Sequence, residues 1–250
     1  MNINNEVAII TGAGSGIGRA TAEEFASRGA IVIVSDLDID KGQATTQAIL
    51  QNGGQARFIK ADVSSDHEVI ELIENTISEH GHIDHMINNA GIDMGMSFFD
   101  QISDDHWTKT IAINQTGVFY CMRAVLKVMM QQEKGSIVNV ASAAGIRSAP
   151  RMGAYAASKH AVVGMTKTAA FEYGKYNIRV NAVCPTVIET PMGTKYLHKD
   201  EQLKQMMLRT VPMRRFGAAE EVAKTICWLS STEASYLNGV ALPVDGGSNA

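Results

Sequence analysis

Length, composition and charge set the first limits on this chain of 250 residues. Hydrophobic residues make up 45% of it and charged residues 19%, which is ample for a sizeable core in a single α/β domain. The formal net charge of -4 disfavours nucleic acid or an anionic membrane as a partner. The sequence shows neither a bilayer-spanning apolar run nor a signal-peptide pattern, so we expect a soluble, cytoplasmic protein.

Apolar runs and helical patterns alternate along the chain. The apolar runs predict seven strands, at residues 7–10, 31–34, 57–60, 83–87, 136–140, 178–183 and 239–244. Helical patterns follow Gly18 and recur at residues 41–50, 66–78 and 105–130, then up to about 173, and at 220–229. Cys184 and Pro185 are expected to end the sixth strand.

This regular alternation predicts the class of fold. Strand, helix, strand at even spacing indicates parallel βαβ units, and hence an α/β doubly wound parallel sheet with helices on both faces. No linker, repeat or low-complexity tract divides the chain, so residues 1–250 are expected to form a single domain. Residues 190–217 interrupt the alternation and predict a helical flap within it.

A glycine-rich loop follows the first strand. Its glycines are Gly12, Gly14, Gly16 and Gly18. Glycines between a strand and a helix allow a tight turn and let the backbone approach a pyrophosphate, which then sits at the helix N-terminus. The loop therefore predicts a dinucleotide site.

The choice of dinucleotide depends on Asp36, just after the second apolar run. A carboxylate about 20 residues beyond the glycine loop binds the ribose hydroxyls and repels a 2′-phosphate. Neither Ser15 in the loop nor Leu37 after Asp36 offers a cation to such a phosphate. We therefore predict NAD rather than NADP.

Candidate chemistry lies after the fifth predicted strand. Tyr155 and Lys159 are one helical turn apart, so their side chains leave the same face of a helix. An ammonium beside a phenol favours the phenolate and lowers its pKa towards neutrality. Ser142, at the strand end, can hydrogen-bond the oxygen whose proton Tyr155 handles. Such a set suits interconversion of a carbonyl and an alcohol.

Together these motifs resemble the short-chain dehydrogenase/reductase family over nearly the whole chain. The matching elements are Thr11-Gly12-x-x-x-Gly16-x-Gly18, Asp62-Val63, Asn88-Asn89-Ala90-Gly91, Asn114, Ser142, Tyr155-x-x-x-Lys159 and Asp245-Gly246-Gly247. The resemblance implies a Rossmann fold, with the 190–217 segment as its substrate flap.

The resemblance also implies residue roles. Catalysis would fall to Ser142, which binds the substrate oxygen, Tyr155 as general acid/base, Lys159, and Asn114, which breaks a helix and holds a proton-relaying water. The implied cofactor site comprises Gly12, Ser15, Gly16, Ile17, Gly18, Asp36, Asp62, Val63, Asn89, Ala90, Gly91, Tyr155, Lys159, Pro185, Ile188 and Thr190.

One position departs from the family pattern. The family usually has Pro-Gly after the sixth strand, whereas this chain has Pro185-Thr186. A β-branched residue adds bulk and restricts the backbone, so we predict that Thr186 helps to set specificity. Methionines near the same region, among them Met96, Met152, Met192 and Met207, would suit an apolar substrate or simply fill the core.

The predicted activity is hydride transfer between NAD(H) and a secondary alcohol or ketone. Two alternatives remain open: an NADPH-dependent 3-oxoacyl-thioester reductase, which Asp36 disfavours, and a noncatalytic NAD-binding regulator. No metal is predicted, because His80, His82 and His85 surround a turn without a metal-site spacing. The resemblance further implies a homotetramer.

Overall fold

Strands and helices alternate within residues 3–194 and 201–250, the part of the chain that this computed structural model describes. The strands are β1 (Val7–Thr11), β2 (Ile31–Asp36), β3 (Gln55–Lys60), β4 (His85–Asn88), β5 (Gly135–Val140), β6 (Ile178–Pro185), β7 (Ile188–Glu189), β8 (Gly217–Ala218) and β9 (Ala241–Val244). The helices are α1 (Gly16–Ser27), α2 (Ile39–Gln51), α3 (Asp66–His80), α4 (Asp104–Ile111), α5 (Gly117–Gln132), α6 (Gly153–Tyr173), α7 (Pro191–Thr194), α8 (Glu201–Arg209) and α9 (Ala219–Ser230).

Seven strands form one parallel sheet in the order β3-β2-β1-β4-β5-β6-β9. The chain starts in the middle of the sheet, winds outwards to β3 and then returns to β4 on the other side of β1. Ligands of such sheets bind beyond the carboxyl ends of the strands, where this order reverses. The doubly wound parallel sheet is therefore confirmed, and its switch point lies between β1 and β4.

Helices cover both faces of the sheet, which explains the continuous apolar runs in its central strands. Successive side chains of β1 point to opposite faces: Ile9 belongs to one core and Ile10 to the other. The first core contains Leu72 of α3, and the second contains Phe25 of α1. Two buried cores thus hold the carboxyl edge of the sheet rigid.

The helix predicted over residues 105–130 is interrupted. Helix α4 ends at Ile111, a π-helical turn follows at Ala112–Thr116, and α5 then continues to Gln132. The buried Asn114 lies in that turn. Its carboxamide accepts from the backbone N–H of Ile92 at 2.8 Å and donates to the carbonyl of Ile92 at 2.9 Å. The expected break at Asn114 is therefore present, and it ties α4 and α5 to the segment after β4.

The sixth strand is longer than predicted. It includes Cys184 and Pro185, which pair in register with Pro243 and Val244 of β9. The strand therefore ends at Pro185 and not before it, because a proline at the last position of a strand costs the ladder only one N–H donor.

The segment at residues 190–217 contains α7 and α8, and residues 195–200 lie outside the described part. Its helical character agrees with the prediction, while its role as a substrate flap stays a prediction. Among the described helices, none is long and apolar enough to cross a membrane.

Candidate active site

A cavity of ≈ 710 Å³ runs along the carboxyl edge of the sheet, from the glycine loop after β1 to Tyr155 on α6. All the predicted catalytic and cofactor residues line it except Gly18 and Asn114. The fold thus brings together side chains that lie more than 170 residues apart in the sequence.

The glycine loop is shaped by backbone contacts that side chains would block. A Cβ at Gly18 would overlap the carbonyl oxygen of Gly12 and the carboxamide of Asn89, so the start of α1 packs directly on the end of β1. Gly12 has φ +62°, which favours glycine. The Asn89 carboxamide donates to the carbonyls of Thr11 and Gly12 at 2.9 and 3.0 Å. Gly18 therefore serves packing, while Gly12 and Asn89 form the cavity wall.

The N-terminus of α1 opens onto this wall. Ser15 is the N-cap residue, yet its side chain forms no cap hydrogen bond with the first turn. The N–H groups of a first helical turn have no partner within the helix, and they attract anions. The residues present therefore fit the pyrophosphate of a dinucleotide.

Two carboxylates lie farther along the same end of the cavity. Asp36, at the end of β2, accepts hydrogen bonds from the N–H groups of Gly14 at 2.8 Å and Asp38 at 2.9 Å. Asp62, just beyond β3, accepts from the N–H and hydroxyl of Ser64 at 2.9 and 2.7 Å. Both side chains are fixed in position and negatively charged near the glycine loop.

One cation near Asp36 was not anticipated from the sequence. Lys41 of α2 packs against Gly14, and its ammonium bonds to the exposed Asp38 carboxylate. The hydrogen bond that Lys41 donates to Asp38 raises the pKa of Lys41, with a smaller contribution from the charge of Asp36. The Lys41 charge is thus already paired within its own helix turn.

At the other end of the cavity, Ser142, Tyr155 and Lys159 come together. The Lys159 ammonium lies 5.6 Å from the centre of the Tyr155 ring, and it donates to the carbonyl of Val140 at 2.8 Å. The Ser142 hydroxyl accepts from the N–H of Ala144 at 3.1 Å, so it also caps the short 3₁₀ turn after β5. Ser142 therefore has both a structural contact and a place in the site.

The predicted acidity of Tyr155 is not met in this geometry. Burial raises the pKa of Tyr155 to about 12, although the Ser142 hydroxyl lowers it, and the Asp93 charge raises it further. Burial also lowers the pKa of Lys159 to about 8. The prediction assumed that the Lys159 ammonium attracts the Tyr155 phenolate and so lowers the phenol pKa. In the structure the Lys159 ammonium donates its hydrogen bond to the Val140 carbonyl, and the desolvation of both groups outweighs that attraction.

Asn114 does not touch the cavity. Besides its two bonds to Ile92, its amide nitrogen lies 3.4 Å from the Ser158 hydroxyl, one turn beyond Tyr155. These contacts hold the segment after β4 against α6. The water relay implied for Asn114 remains a prediction.

Further residues line the cavity at the end that holds Tyr155. Thr186, at the position that departs from the family pattern, lines the cavity, as do Met96, Met152, Met192 and Met207. Asp93 also lines the cavity, although it was not predicted as a site residue from the sequence. Its position could have indicated a site residue, because Asp93 follows Gly91 by two residues, where the chain leaves the carboxyl end of a strand.

Comparison with known proteins identifies the family. The protein-family model described as Enoyl-(Acyl carrier protein) reductase matches residues 12–249 of this chain. A 2,5-dichloro-2,5-cyclohexadiene-1,4-diol dehydrogenase of Sphingobium indicum is 38% identical, over 98% of this chain and 98% of its own. The 3-oxoacyl-[acyl-carrier-protein] reductase of Thermotoga maritima is 39% identical, over 99% of both chains.

A solved structure supports the same family assignment. The NAD⁺-bound xylitol dehydrogenase superposes with a TM-score of 0.93 at 33% identity, over 99% of this chain and 100% of that one. The chain therefore belongs to the short-chain dehydrogenase/reductase family, and it is an oxidoreductase of the kind that acts on alcohols and ketones.

Proposed function

We propose that this protein is an NAD-dependent dehydrogenase that interconverts a secondary alcohol and a ketone. The observation that carries the proposal is a single cavity with the Asp36 carboxylate at one end and Tyr155, Ser142 and Lys159 at the other. A dinucleotide laid between them would place its reactive ring near the phenol.

The proposal names NAD because of Asp36. Its carboxylate is fixed by the N–H groups of Gly14 and Asp38 at the end of β2, where it can accept from both ribose hydroxyls. A 2′-phosphate at that point would meet the negative charge of a partly buried carboxylate, which is unfavourable. The similarity to a xylitol dehydrogenase described as NAD⁺-bound supports the same choice.

The nicotinamide, when bound, accepts or supplies the hydride. The chain's own residues manage the proton. In alcohol oxidation, Tyr155 as the phenolate takes the hydroxyl proton and becomes neutral, Ser142 holds the substrate oxygen, and the Lys159 ammonium stabilises the phenolate before that transfer. In ketone reduction, Tyr155 gives the proton back.

A second candidate is an NADPH-dependent 3-oxoacyl-thioester reductase. The description of the matching family model and the Thermotoga maritima relative both favour it. Asp36 opposes it, for the reason given above. A noncatalytic NAD-binding role is opposed by the complete set of Ser142, Tyr155 and Lys159.

The deciding experiment follows the absorbance of reduced nicotinamide. We expect secondary alcohols to be oxidised with NAD at a far higher kcat/KM than with NADP. Efficient reduction of an acetoacetyl thioester with NADPH would favour the second candidate. No turnover across a broad panel of alcohols and ketones with either cofactor would favour the noncatalytic one.

Three further expectations belong to this proposal. The family resemblance supports a homotetramer, which light scattering during gel filtration would test. The segment at residues 190–217 is proposed to close over the substrate. A cytoplasmic location is proposed as well.

A further inference from the structure

One acidic side chain in the cavity, Asp93, has no part in the chemistry described above. Among the described residues, two other carboxylates line the cavity, and both, Asp36 and Asp62, belong to its glycine-loop end. Asp93 belongs to the Tyr155 end, since its charge acts on the pKa of that phenol. A carboxylate at the end of the cavity proposed to hold the substrate needs a chemical explanation.

The Asp93 side chain is held in place by its own loop. One of its carboxylate oxygens accepts from the N–H of Gly95 at 2.9 Å, and Gly95 has φ +111°, which favours glycine. Two residues on, the N–H of Ser97 donates to the carbonyl of Arg151 at 2.8 Å, just before α6. The loop is therefore fixed to the segment that leads into Tyr155.

The charge of Asp93 has no counter-ion in the part of the chain that the structure describes. Within residues 3–194 and 201–250, no cation forms an ion pair with Asp93, and its second carboxylate oxygen accepts no hydrogen bond. Arg147 also lines the cavity, but its guanidinium donates to the carbonyl of Ser248 at 3.0 Å. Asp93 is half-buried and its second oxygen is not fully buried, so a donor on a bound substrate can reach it from the cavity.

The surroundings restrict what can supply that donor. The neighbouring lining residues Ile92, Met96 and Met152 are apolar and offer no side-chain N–H or O–H group. An anionic substrate group would be repelled by Asp93. An ammonium group would approach the Lys159 ammonium and the Arg147 guanidinium, which share the cavity. A neutral hydroxyl meets neither objection, and a carboxylate is a strong acceptor for it.

We infer that Asp93 selects substrates with a second hydroxyl group, that is, diols or polyols, by accepting a hydrogen bond from the hydroxyl that does not react. This inference rests on the proposed alcohol dehydrogenase activity and specifies its substrate class. Asp93 is a specificity-determining residue in this scheme, and Tyr155 remains the group that handles the reacting proton.

The test compares matched substrates. Initial rates with NAD are measured for cyclohexanol and for the 1,2-, 1,3- and 1,4-cyclohexanediols, in the wild type and in two variants. Asp93→Leu removes the acceptor at similar size, and Asp93→Asn keeps an acceptor for Gly95 but removes the charge. We expect the wild type to prefer at least one diol over cyclohexanol in kcat/KM. Asp93→Leu should lower that ratio about tenfold or more, and Asp93→Asn by a smaller factor.

A control removes the same charge elsewhere. Asp100→Asn alters an exposed aspartate in the next turn of the same connection, and it should leave the diol-to-cyclohexanol ratio unchanged. NADH binding by fluorescence checks that each variant is folded.

The outcomes separate the two proposals. Equal ratios in the wild type and Asp93→Leu, or a wild type that prefers cyclohexanol to every diol, would overturn the role of Asp93 and leave the dehydrogenase assignment intact. A preference for 2-aminocyclohexanol over the 1,2-diol would overturn the choice of a hydroxyl. Absence of NAD-linked turnover with all the alcohols would instead reject the proposed function.

Discussion

The Lys159 ammonium lies 5.6 Å from the centre of the Tyr155 ring but gives its hydrogen bond to the carbonyl of Val140, 2.8 Å away. The phenol therefore gains little from the cation. Burial raises the pKa of Tyr155 to about 12, so Tyr155 is protonated at neutral pH. This state suits ketone reduction, whereas alcohol oxidation has to reach the phenolate.

A pH dependence follows from that state. The phenolate fraction grows as the pH rises towards the raised pKa of Tyr155, so kcat/KM for alcohol oxidation should increase with pH above neutrality until the Lys159 ammonium, whose pKa burial lowers to about 8, loses its proton. The Ser142 hydroxyl lowers this pKa. Ser142→Ala should therefore move the rising limb of the plot of kcat/KM against pH to higher pH, besides lowering the rate. The measurement is kcat/KM against pH for both proteins. A limb that stays in place, or moves to lower pH, would contradict the assigned effect of Ser142.

The acid/base role of Tyr155 is tested by deleting one oxygen. Tyr155→Phe should lower kcat about 100-fold or more, because a positioned proton donor is lost while the ring is kept. The Kd for NADH, measured by fluorescence, should stay within about tenfold, the most that the loss of one neutral hydrogen bond costs. Tyr173→Phe makes the same change at the far end of α6 and should keep full turnover. Loss of turnover and NADH binding together would show that Tyr155 is structural.

Cofactor choice should follow the charge at residue 36. Asp36→Ser removes the carboxylate that opposes a 2′-phosphate and weakens the bonds to the ribose hydroxyls. We expect the ratio of kcat/KM for NADPH to that for NADH to rise about 100-fold, a change typical of removing one charged contact from a partly buried site. Asp62→Asn, at the same end of the cavity, should impair both cofactors alike and leave the ratio unchanged. An unaltered ratio in Asp36→Ser would contradict the assignment of cofactor choice to Asp36.

The doubly wound parallel sheet and most of the cavity lining were predictable from the sequence, because they follow from local apolar runs and from motifs placed just after them. Apolar runs such as the one in β2 give the strands, and residues placed just after them, such as Asp36, must meet at one edge of a parallel sheet. The acidity of Tyr155 was not predictable, since it depends on which acceptor the Lys159 ammonium takes. Asp93 was missed for a similar reason: only the fold shows that its loop turns back against α6.

Thr186 should control the space beside the reacting carbon. Thr186→Gly removes a branched side chain from the cavity wall, so kcat/KM for bulky secondary alcohols should rise about fivefold or more relative to small ones. Thr186→Ser keeps the hydroxyl and removes only the methyl group. A change in Thr186→Gly alone would indicate that the hydroxyl or backbone matters, and a change in both would indicate bulk. Unchanged relative kcat/KM across the panel in both variants would remove Thr186 from the specificity determinants.

Far from the cavity, at the amino end of the sheet, Asp84 should be a determinant of stability. It is buried, and its carboxylate accepts from the Val7 N–H at 2.9 Å and the Lys134 ammonium at 2.8 Å. Burial alone would raise the pKa of Asp84, but these two hydrogen bonds lower it below its usual value. A depressed pKa in the folded state stabilises the protein above the ordinary pKa of aspartate, and this contribution disappears as the pH falls through the folded-state pKa.

Asp84→Asn should therefore cost about 1–3 kcal/mol in the free energy of unfolding at pH 7, because Asn cannot pair with the Lys134 charge. The difference from the wild type should begin to shrink as the pH falls below the ordinary aspartate pKa of about 4, and it should disappear below the lower folded-state pKa, where the wild-type carboxylate is protonated as well. Urea unfolding at several pH values measures both effects. Asp66→Asn breaks the exposed ion pair with Arg123 and should cost less than about 0.5 kcal/mol. Equal losses at Asp84 and Asp66, or a difference at Asp84 that is independent of pH, would show that the buried charge contributes nothing of its own.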